Sequence, residues 1–146
     1  MIKLGKYEIG ATHKPFIIAE MSGNHNQSLE KALEIVKAAA VSGAHALKIQ
    51  TYTPDTMTID INEGEFHIDD PDSLWFGRSL YNLYGEAHTP WEWHKSIFDR
   101  ARELDLIPFS TPFDLTAVDF LESLDSDFYK IASFENTDLP LIRRVA

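Results

Sequence analysis

The sequence contains no cysteine among its 146 residues. This absence excludes disulfide bonds, thiolate zinc sites and cysteine nucleophiles together. Long hydrophobic runs are also missing, and the longest one near the N-terminus is Phe16–Ala19. A secretion signal needs a longer apolar segment, and a membrane-spanning helix needs about 20 apolar residues. We therefore expect a cytoplasmic protein.

Basic residues are scarce, with 13 Lys and Arg against 23 Asp and Glu and a net charge of −10. This balance repels nucleic-acid phosphates and anionic membranes, so we expect neither as a partner. No Lys or Arg occurs between Lys48 and Arg78, and this window holds most of the acidic excess: Asp55, Asp60, Glu63, Glu65, Asp69, Asp70 and Asp72. The rest of the chain is nearly balanced and can hold an anion site.

Apolar runs and helical patterns alternate along the chain. Residues 2–9 alternate around Gly5 and predict a small hairpin, since glycine supplies the positive φ of such a turn. Short apolar runs then predict buried strands at 16–19, 46–50, 106–110 and 128–132. Helices are predicted between and after these strands, with N-caps at Ser28, Thr89, Asp114 and Asp138. Thr89 and Glu92 have the spacing of a capping box.

Strands that alternate with helices pair in parallel, so the fold class is α/β. Two architectures fit: a four-stranded open sheet, or the first half of a TIM (β/α)8 barrel. No Gly-rich nucleotide-binding turn follows any strand, which disfavours the open sheet. We therefore expect residues 1–146 to be the N-terminal half of a barrel domain. It would comprise about four parallel β/α units, preceded by a small N-terminal β-hairpin.

Polar side chains gather at the carboxyl ends of the predicted strands, where α/β proteins build their sites: Glu20, Lys48, Gln50, Ser110, Thr111, Lys130, Ser133 and Glu135. Two lysines with nearby hydroxyls favour a clamp for a small dianion with two acidic ends. A desolvated lysine that forms an imine with a carbonyl substrate is the alternative chemistry. Lysines that only neutralise neighbouring carboxylates are the structural alternative.

Glu20 and Glu135 are the carboxylates at this face, and each is a candidate general base or orienter of a metal-bound water. Glu135 beside Lys130 also fits a simple charge pair. On the first β/α loop, Asn24 and His25 are candidates for contacts with substrate oxygens.

The other polar and aromatic features favour structural roles. His45 and His94 have positions typical of structural histidines. No HxH or HExxH pattern occurs, so any metal ligands are expected mostly elsewhere. Aromatic residues around Trp75 fit either a sugar-stacking surface or packing, and the helical spacing of Leu80, Leu83 and Tyr84 favours packing.

Four separated segments carry a family resemblance: IAE with the following NH at 18–25, LKIQTYTPD at 47–55, TPWEWH at 89–94 and YKIASFE at 129–135. Together they resemble the N-terminal part of the sialic acid synthase family over essentially the whole chain. The segments KIQTYTPD, LYxLYxxAxTPWEWH and YKIASFE are most similar to the branch of that family that forms pseudaminic acid.

The resemblance implies an enzyme that condenses phosphoenolpyruvate with an open-chain 2,4-diacetamido-2,4,6-trideoxy hexose, giving a nonulosonic acid and phosphate. It implies that four residues hold phosphoenolpyruvate: Lys48, Thr111, Lys130 and Ser133. Glu135 and Glu20 are then catalytic, and the sugar-contact candidates are Asn24, His25 and Gln50. A divalent metal, Mn²⁺ or Mg²⁺, is implied as a Lewis acid for the aldehyde.

Members of the family are longer than this chain, and the resemblance places the metal-binding histidines in the second half of the barrel. A partner-subunit arginine that covers the site is also implied, so we expect a homodimer at full length. We expect this fragment to be inactive alone. Two alternatives stay open: an N-acetylneuraminate or legionaminate synthase of the same family, and a non-catalytic half-barrel that serves as a binding or assembly module.

Overall fold

The computed structural model describes residues 2–146, which form five strands and six helices. The strands are β1 (Ile2–Leu4), β2 (Tyr7–Ile9), β3 (Ile18–Glu20), β4 (Ala46–Thr51) and β5 (Ile107–Pro112). The helices are α1 (Leu29–Val41), α2 (Pro54–Met57), α3 (Leu80–Ala87), α4 (Trp91–Glu103), α5 (Leu115–Glu122) and α6 (Leu139–Val145), with one 3₁₀ turn at Gly64–Phe66. None of the helices formed by residues 2–146 has the length and apolar character needed to cross a bilayer.

Strands β1 and β2 form the predicted antiparallel hairpin. Gly5 has φ +55° at the turn, in the left-handed region that glycine adopts without strain. The hairpin packs beside the main sheet. Lys6 forms a salt bridge with Asp105, just before β5, and Leu4 lines the cleft described below.

The main sheet is parallel and has the order β3-β4-β5, as expected for β/α units. Its register places Glu20 beside Lys48, and Gln50 beside Thr111. The predicted fourth strand at 128–132 is wrong as a regular strand: Tyr129 forms a single parallel bridge with Ser110. The chain turns away after this point, because the amide of Glu135 donates to the carbonyl of Ala132.

The first barrel strand differs from its prediction in both bounds and burial. It runs from Ile18 to Glu20 rather than over 16–19, and Ile18 is 44% exposed. Alternate residues of a strand point to opposite faces, so Ala19 packs against the core while Ile18 and Glu20 point to the other side. The expectation of a strand buried on both faces was therefore wrong.

The two faces of the sheet have different roles. Leu47 and Ile49 of β4 face the helices, where they pack in one buried cluster with Val36 of α1 and Ile97 and Phe98 of α4. The residues between them in β4, Lys48 and Gln50, face the opposite side, which is the interior side of a (β/α)8 barrel. The apolar core thus lies behind the face that carries the candidate site residues.

Helix α1 begins as predicted, because the Ser28 hydroxyl accepts a hydrogen bond from the amide of Lys31. Asp114 and Asp138 likewise cap α5 and α6. The predicted capping box at Thr89 is wrong, since α4 begins after Pro90 without a side-chain cap. Thr89 is instead buried, with its hydroxyl 3.3 Å from His25 Nε2.

A buried polar network joins β4, β5 and α4 on the helix side of the sheet. His94 Nδ1 donates to the Pro90 carbonyl, so Nε2 accepts from the Thr51 hydroxyl at 2.9 Å. The Ser110 hydroxyl lies 2.6 Å from Thr51 Oγ1. Ser110 therefore belongs to this network and not to the strand-end cluster in which its sequence position placed it. The structural role expected for His94 is confirmed.

Protonation of His94 is expected to destabilise the fold. Burial lowers the pKa of His94 to about 4, below the value of about 6.5 in an unfolded chain. Between these two pKa values the unfolded state binds a proton at this histidine and the folded state does not. The free energy of unfolding therefore falls by up to about 3 kcal/mol as the pH drops from 6.5 to 4. Urea unfolding across this range should show a smaller loss of unfolding free energy in His94→Asn, whereas the exposed-site control Lys37→Met should match the wild type. Equal pH slopes in His94→Asn and the wild type would contradict this role.

Candidate functional site

A cleft of about 630 Å³ lies on the face of the sheet opposite the core. Its walls come from the hairpin, the three parallel strands and the segment after α5: Leu4, Ile18, Glu20, Lys48, Phe109, Phe128, Tyr129, Lys130 and Ile131. Three residues predicted from distant parts of the sequence, Glu20, Lys48 and Lys130, therefore meet in one cleft. The parallel register brings Glu20 and Lys48 side by side, and the bridge from Tyr129 to Ser110 brings in Lys130.

Glu20 and Lys48 form an ion pair across neighbouring strands through Glu20 Oε2 and Lys48 Nζ. The other carboxylate oxygen, Oε1, accepts hydrogen bonds from the backbone N–H and the hydroxyl of Ser22, both at 3.2 Å. In this structure Glu20 therefore neutralises Lys48, as in the structural alternative in which the lysines pair with neighbouring carboxylates. The sequence did not predict a role for Ser22, because its contact with Glu20 depends on a left-handed backbone conformation that no sequence motif indicates.

Lys48 lies in an environment that disfavours its charge. Its side chain is only 14% exposed. Burial, and secondly the positive charge of Lys130, lower the pKa of Lys48 to about 8. An anion that enters the cleft would oppose both effects and favour the charged ammonium. The cleft is therefore suited to a ligand with negative charge.

Two polar atoms near the strand ends are buried and have no hydrogen-bond partner among residues 2–146: Thr111 Oγ1 and Glu135 Oε2. Buried polar groups are normally paired, so a buried polar atom without a partner is a candidate contact for a ligand. Burial raises the pKa of the Glu135 carboxyl, and the nearby charge of Asp138 adds to this effect. No salt bridge joins Glu135 to Lys130 among residues 2–146, although the positive charge of Lys130 lowers the pKa of Glu135 and partly opposes the effect of burial.

The remaining predicted site residues have varied surroundings. Asn24 is exposed, and its amide nitrogen donates to the Met21 carbonyl at 2.9 Å. Ser133 is exposed on the loop that follows Lys130, and Gln50 is partly buried next to Thr111 in the register.

His25 lies inside the first β/α loop and is fully buried. Its Nδ1 accepts from the amide of Gln27 at 3.2 Å, and its ring packs edge-on against Trp93. Nε2 therefore carries the hydrogen and donates to the Thr89 hydroxyl at 3.3 Å. With both ring nitrogens engaged, His25 holds the loop, and its predicted contact with a sugar stays a prediction.

The aromatic segment before α3 is partly exposed. Leu80, Leu83 and Tyr84 lie in α3, as their spacing predicted. Trp75 and Phe76 precede this helix and are 41% and 57% exposed. The Arg78 guanidinium lies 5.9 Å from the centre of the Trp75 ring.

The potential metal ligands among residues 2–146 are dispersed. Within residues 2–146, no three His, Asp or Glu side chains come together in a way that could hold a metal ion. The donors present in this part of the protein do not fit the divalent metal that the family resemblance implies. No step proposed below is assigned to a metal.

Comparisons with known proteins point to one family. The family model described as the NeuB family matches residues 35–146. The pseudaminic acid synthase of Campylobacter jejuni serotype O:2 is 49% identical over 133 residues, which cover 91% of this chain and 38% of that protein. The pseudaminic acid synthase of Helicobacter pylori is 50% identical over 132 residues, covering 90% of this chain and 38% of that protein.

Solved structures show the same fold. The N-acetylneuraminic acid synthetase of Leptospira borgpetersenii, in complex with citrate, superposes with a TM-score of 0.81 and 26% identity, over 98% of this chain and 45% of that chain. SpsE of Bacillus subtilis, a spore coat polysaccharide biosynthesis protein, has a TM-score of 0.71 and 32% identity over 99% of this chain and 36% of its own. The expected fold class, α/β with part of a (β/α)8 barrel, is confirmed, and the chain spans 38% of the curated relatives named above.

Proposed function

Since this chain belongs to the NeuB family, we propose that it is the N-terminal part of a pseudaminic acid synthase. The reaction condenses phosphoenolpyruvate with an open-chain 2,4-diacetamido-2,4,6-trideoxy hexose and releases phosphate. The choice of sugar rests on the difference in sequence identity between this chain and synthases of different products. It is 49% and 50% to two pseudaminic acid synthases but 34% to the N,N'-diacetyllegionaminic acid synthase of Legionella pneumophila.

Residues 1–146 are proposed as the N-terminal half of the barrel domain. We further propose that the whole enzyme is a cytoplasmic homodimer that needs Mn²⁺ or Mg²⁺, with the metal ligands outside this chain. The proposed substrate is a small anion with an acidic group at each end, which fits the two lysines of the cleft. Phosphoenolpyruvate has a carboxylate at one end and a phosphate at the other, so two separate positive groups bind it better than one.

Lys48 and Lys130 supply the two positive charges at the walls of the cleft. Thr111 supplies a buried hydroxyl without a partner among residues 2–146, and Ser133 supplies an exposed one on the neighbouring loop. Charge-assisted hydrogen bonds from such donors orient an anion as well as bind it. These four residues are therefore the proposed phosphoenolpyruvate site.

The proposed chemistry forms one C–C bond, forms a C–O bond from water and breaks the C–O bond to phosphate. The electron pair of the C2=C3 bond of phosphoenolpyruvate forms the new bond from carbon three to the aldehyde carbon, and the aldehyde oxygen takes up a proton. Carbon two is left electron-poor, and water adds to it and gives up one proton, which replaces the proton taken up by the aldehyde oxygen. The bond from carbon two to the phosphate oxygen then breaks, phosphate leaves with the electron pair and with the second proton of the water, and the water oxygen becomes the keto oxygen. Glu135 is the proposed acceptor of the proton from this water, because its Oε2 is unpaired and a carboxylate with a raised pKa is a better base.

Glu20 is proposed to act close to the reacting sugar. Its carboxylate lies in the cleft next to Lys48, with which it forms an ion pair. Asn24 and Gln50 are the proposed polar contacts to the sugar, and His25 is proposed to support them by holding the first β/α loop.

One observation favours a different sugar. A structural neighbour that covers 98% of this chain with a TM-score of 0.81 is an N-acetylneuraminic acid synthetase. An N-acetylneuraminate or legionaminate synthase is therefore the second candidate. A half-barrel without catalysis is the third, because the ion pair and the polar network would also stabilise a binding module.

Assays of the full-length protein that contains this chain distinguish these candidates. We would supply phosphoenolpyruvate and Mn²⁺ with each of three sugars: the 2,4-diacetamido-2,4,6-trideoxy hexose precursor of pseudaminic acid, the legionaminic acid precursor and N-acetylmannosamine. Phosphate release and the mass of the nonulosonic acid are measured together. Turnover with the first sugar is expected, whereas turnover only with N-acetylmannosamine, or none with any sugar, would contradict the proposal.

A further inference from the structure

Ser22 has a backbone conformation that directs both of its donors at one atom. It follows strand β3 and has φ +48°, in the left-handed region that residues other than glycine rarely adopt. Its backbone nitrogen and its hydroxyl oxygen each lie 3.2 Å from Glu20 Oε1. The second carboxylate oxygen, Oε2, pairs with Lys48. Each oxygen thus has its own partner, so the carboxylate cannot rotate without losing one of them.

The charge of Lys48 depends on few neighbours. Among the described residues that line the cleft, Glu20 from β3 is the carboxylate that forms an ion pair with Lys48. Lys130, from the segment 128–131, opposes the positive charge of Lys48. Tyr129 also lines the cleft, but its hydroxyl donates to Glu122. A change in the position of the Glu20 carboxylate therefore acts directly on Lys48.

We propose that Ser22 is a positioning residue: it holds the Glu20 carboxylate against Lys48, so that Lys48 keeps the positive charge with which it binds the anionic substrate. This inference rests on the proposed function, because it assumes that Lys48 binds phosphoenolpyruvate. It adds a residue outside the set that contacts the substrate, and it explains why a serine occupies a backbone position that suits glycine.

The loop that carries Ser22 is held independently of the serine hydroxyl. The Gln27 side chain donates to the carbonyls of Glu86, at 2.5 Å, and of His88, at 3.1 Å. Gly23 lies so close to α3 that a Cβ there would be 2.8 Å from the Ala87 carbonyl oxygen. Replacing Ser22 by glycine is therefore a suitable test, since glycine keeps the backbone N–H, adopts the left-handed conformation freely and removes the side-chain CH2OH group that contacts Glu20.

The test is a calorimetric titration of phosphoenolpyruvate into the full-length protein at about pH 6.5 and about pH 8.5. Burial and Lys130 lower the pKa of Lys48 to about 8. Lys48 of the wild type is therefore charged at the lower pH and only partly charged at the higher pH, where a weaker contact with the Glu20 carboxylate should reduce the charged fraction further. Ser22→Gly is expected to weaken binding about fivefold relative to the wild type at pH 8.5. At pH 6.5, Ser22→Gly should bind phosphoenolpyruvate less than about twofold more weakly than the wild type.

Asn26→Gly is the matched control. Asn26 lies in the same loop, also has φ +48°, and has an exposed side chain. The Asn26→Gly protein is expected to bind phosphoenolpyruvate as tightly as the wild type at both pH values. Equal weakening of Ser22→Gly at both pH values, or no weakening, would overturn the inference. If Lys48→Met binds phosphoenolpyruvate like the wild type, the proposed function fails. If Lys48→Met loses binding and Ser22→Gly does not, only the role of Ser22 fails.

Discussion

Replacing Glu135 by glutamine in the full-length enzyme is expected to lower kcat about a thousandfold. Glutamine keeps the size and polarity of the side chain but cannot accept the proton of the water that adds to carbon two. The raised pKa of Glu135 is caused mainly by burial. Its carboxylate should therefore lose activity as a base at a higher pH than an exposed glutamate, as the pH falls through the raised pKa. This acidic limb of the kcat profile should disappear in Glu135→Gln.

Steady-state phosphate release across pH measures both effects. Glu34→Gln, on the exposed side of α1, is the control for removal of a carboxylate far from the cleft, and we expect it to match the wild type. Binding of phosphoenolpyruvate should change much less than kcat in Glu135→Gln. A kcat within about twofold of the wild type would show that another group is the base, because general base catalysis contributes far more than this.

The second large effect is expected at Lys48. Lys48→Met keeps most of the apolar length of the side chain and removes the charge, and we expect phosphoenolpyruvate to bind about 100-fold more weakly. In the wild-type protein, affinity should fall as the pH rises through about 8, because Lys48 loses its proton there. This alkaline limb should be absent in Lys48→Met.

Calorimetry with the full-length protein measures the affinities directly. Lys37→Met, an exposed lysine on α1, is the control for the general loss of one positive charge. Lys130→Met tests the second half of the clamp and is expected to weaken binding in the same direction. It should also raise the pKa of Lys48, since the charge of Lys130 lowers it. Unchanged affinity in both lysine variants would contradict an anion clamp in this cleft.

Local signals in the sequence predicted most elements of the fold. The hairpin at Gly5 and the helices capped by Ser28, Asp114 and Asp138 depend on neighbouring residues, and these are visible as short patterns. Thr89 had an equally good local pattern, but burial against His25 determined its contacts instead. A local pattern therefore fails where a tertiary contact competes for the same side chain.

The sequence predicted that Glu20, Lys48 and Lys130 lie close together, but it did not predict the geometry of their contacts. These three residues follow or end predicted strands, and the carboxyl ends of parallel strands lie at one edge of a sheet, so they were expected to lie in the same cleft. Ser110 and Thr111 are adjacent in sequence yet point to opposite faces, and the true bounds of β5 were needed to separate them. The left-handed conformation of Ser22 has no sequence signature, so its contact with Glu20 was not foreseen.

The central claim is that Lys48 and Lys130 bind an anion rather than form an imine. A pKa of about 8 leaves a fraction of Lys48 uncharged near neutral pH, so imine chemistry is the strongest competing account. Borohydride treatment of the full-length enzyme during turnover, followed by peptide mass spectrometry, distinguishes the two. We predict that phosphate is released and that both lysines stay unmodified. A reduced substrate adduct on Lys48 or Lys130 would contradict the account.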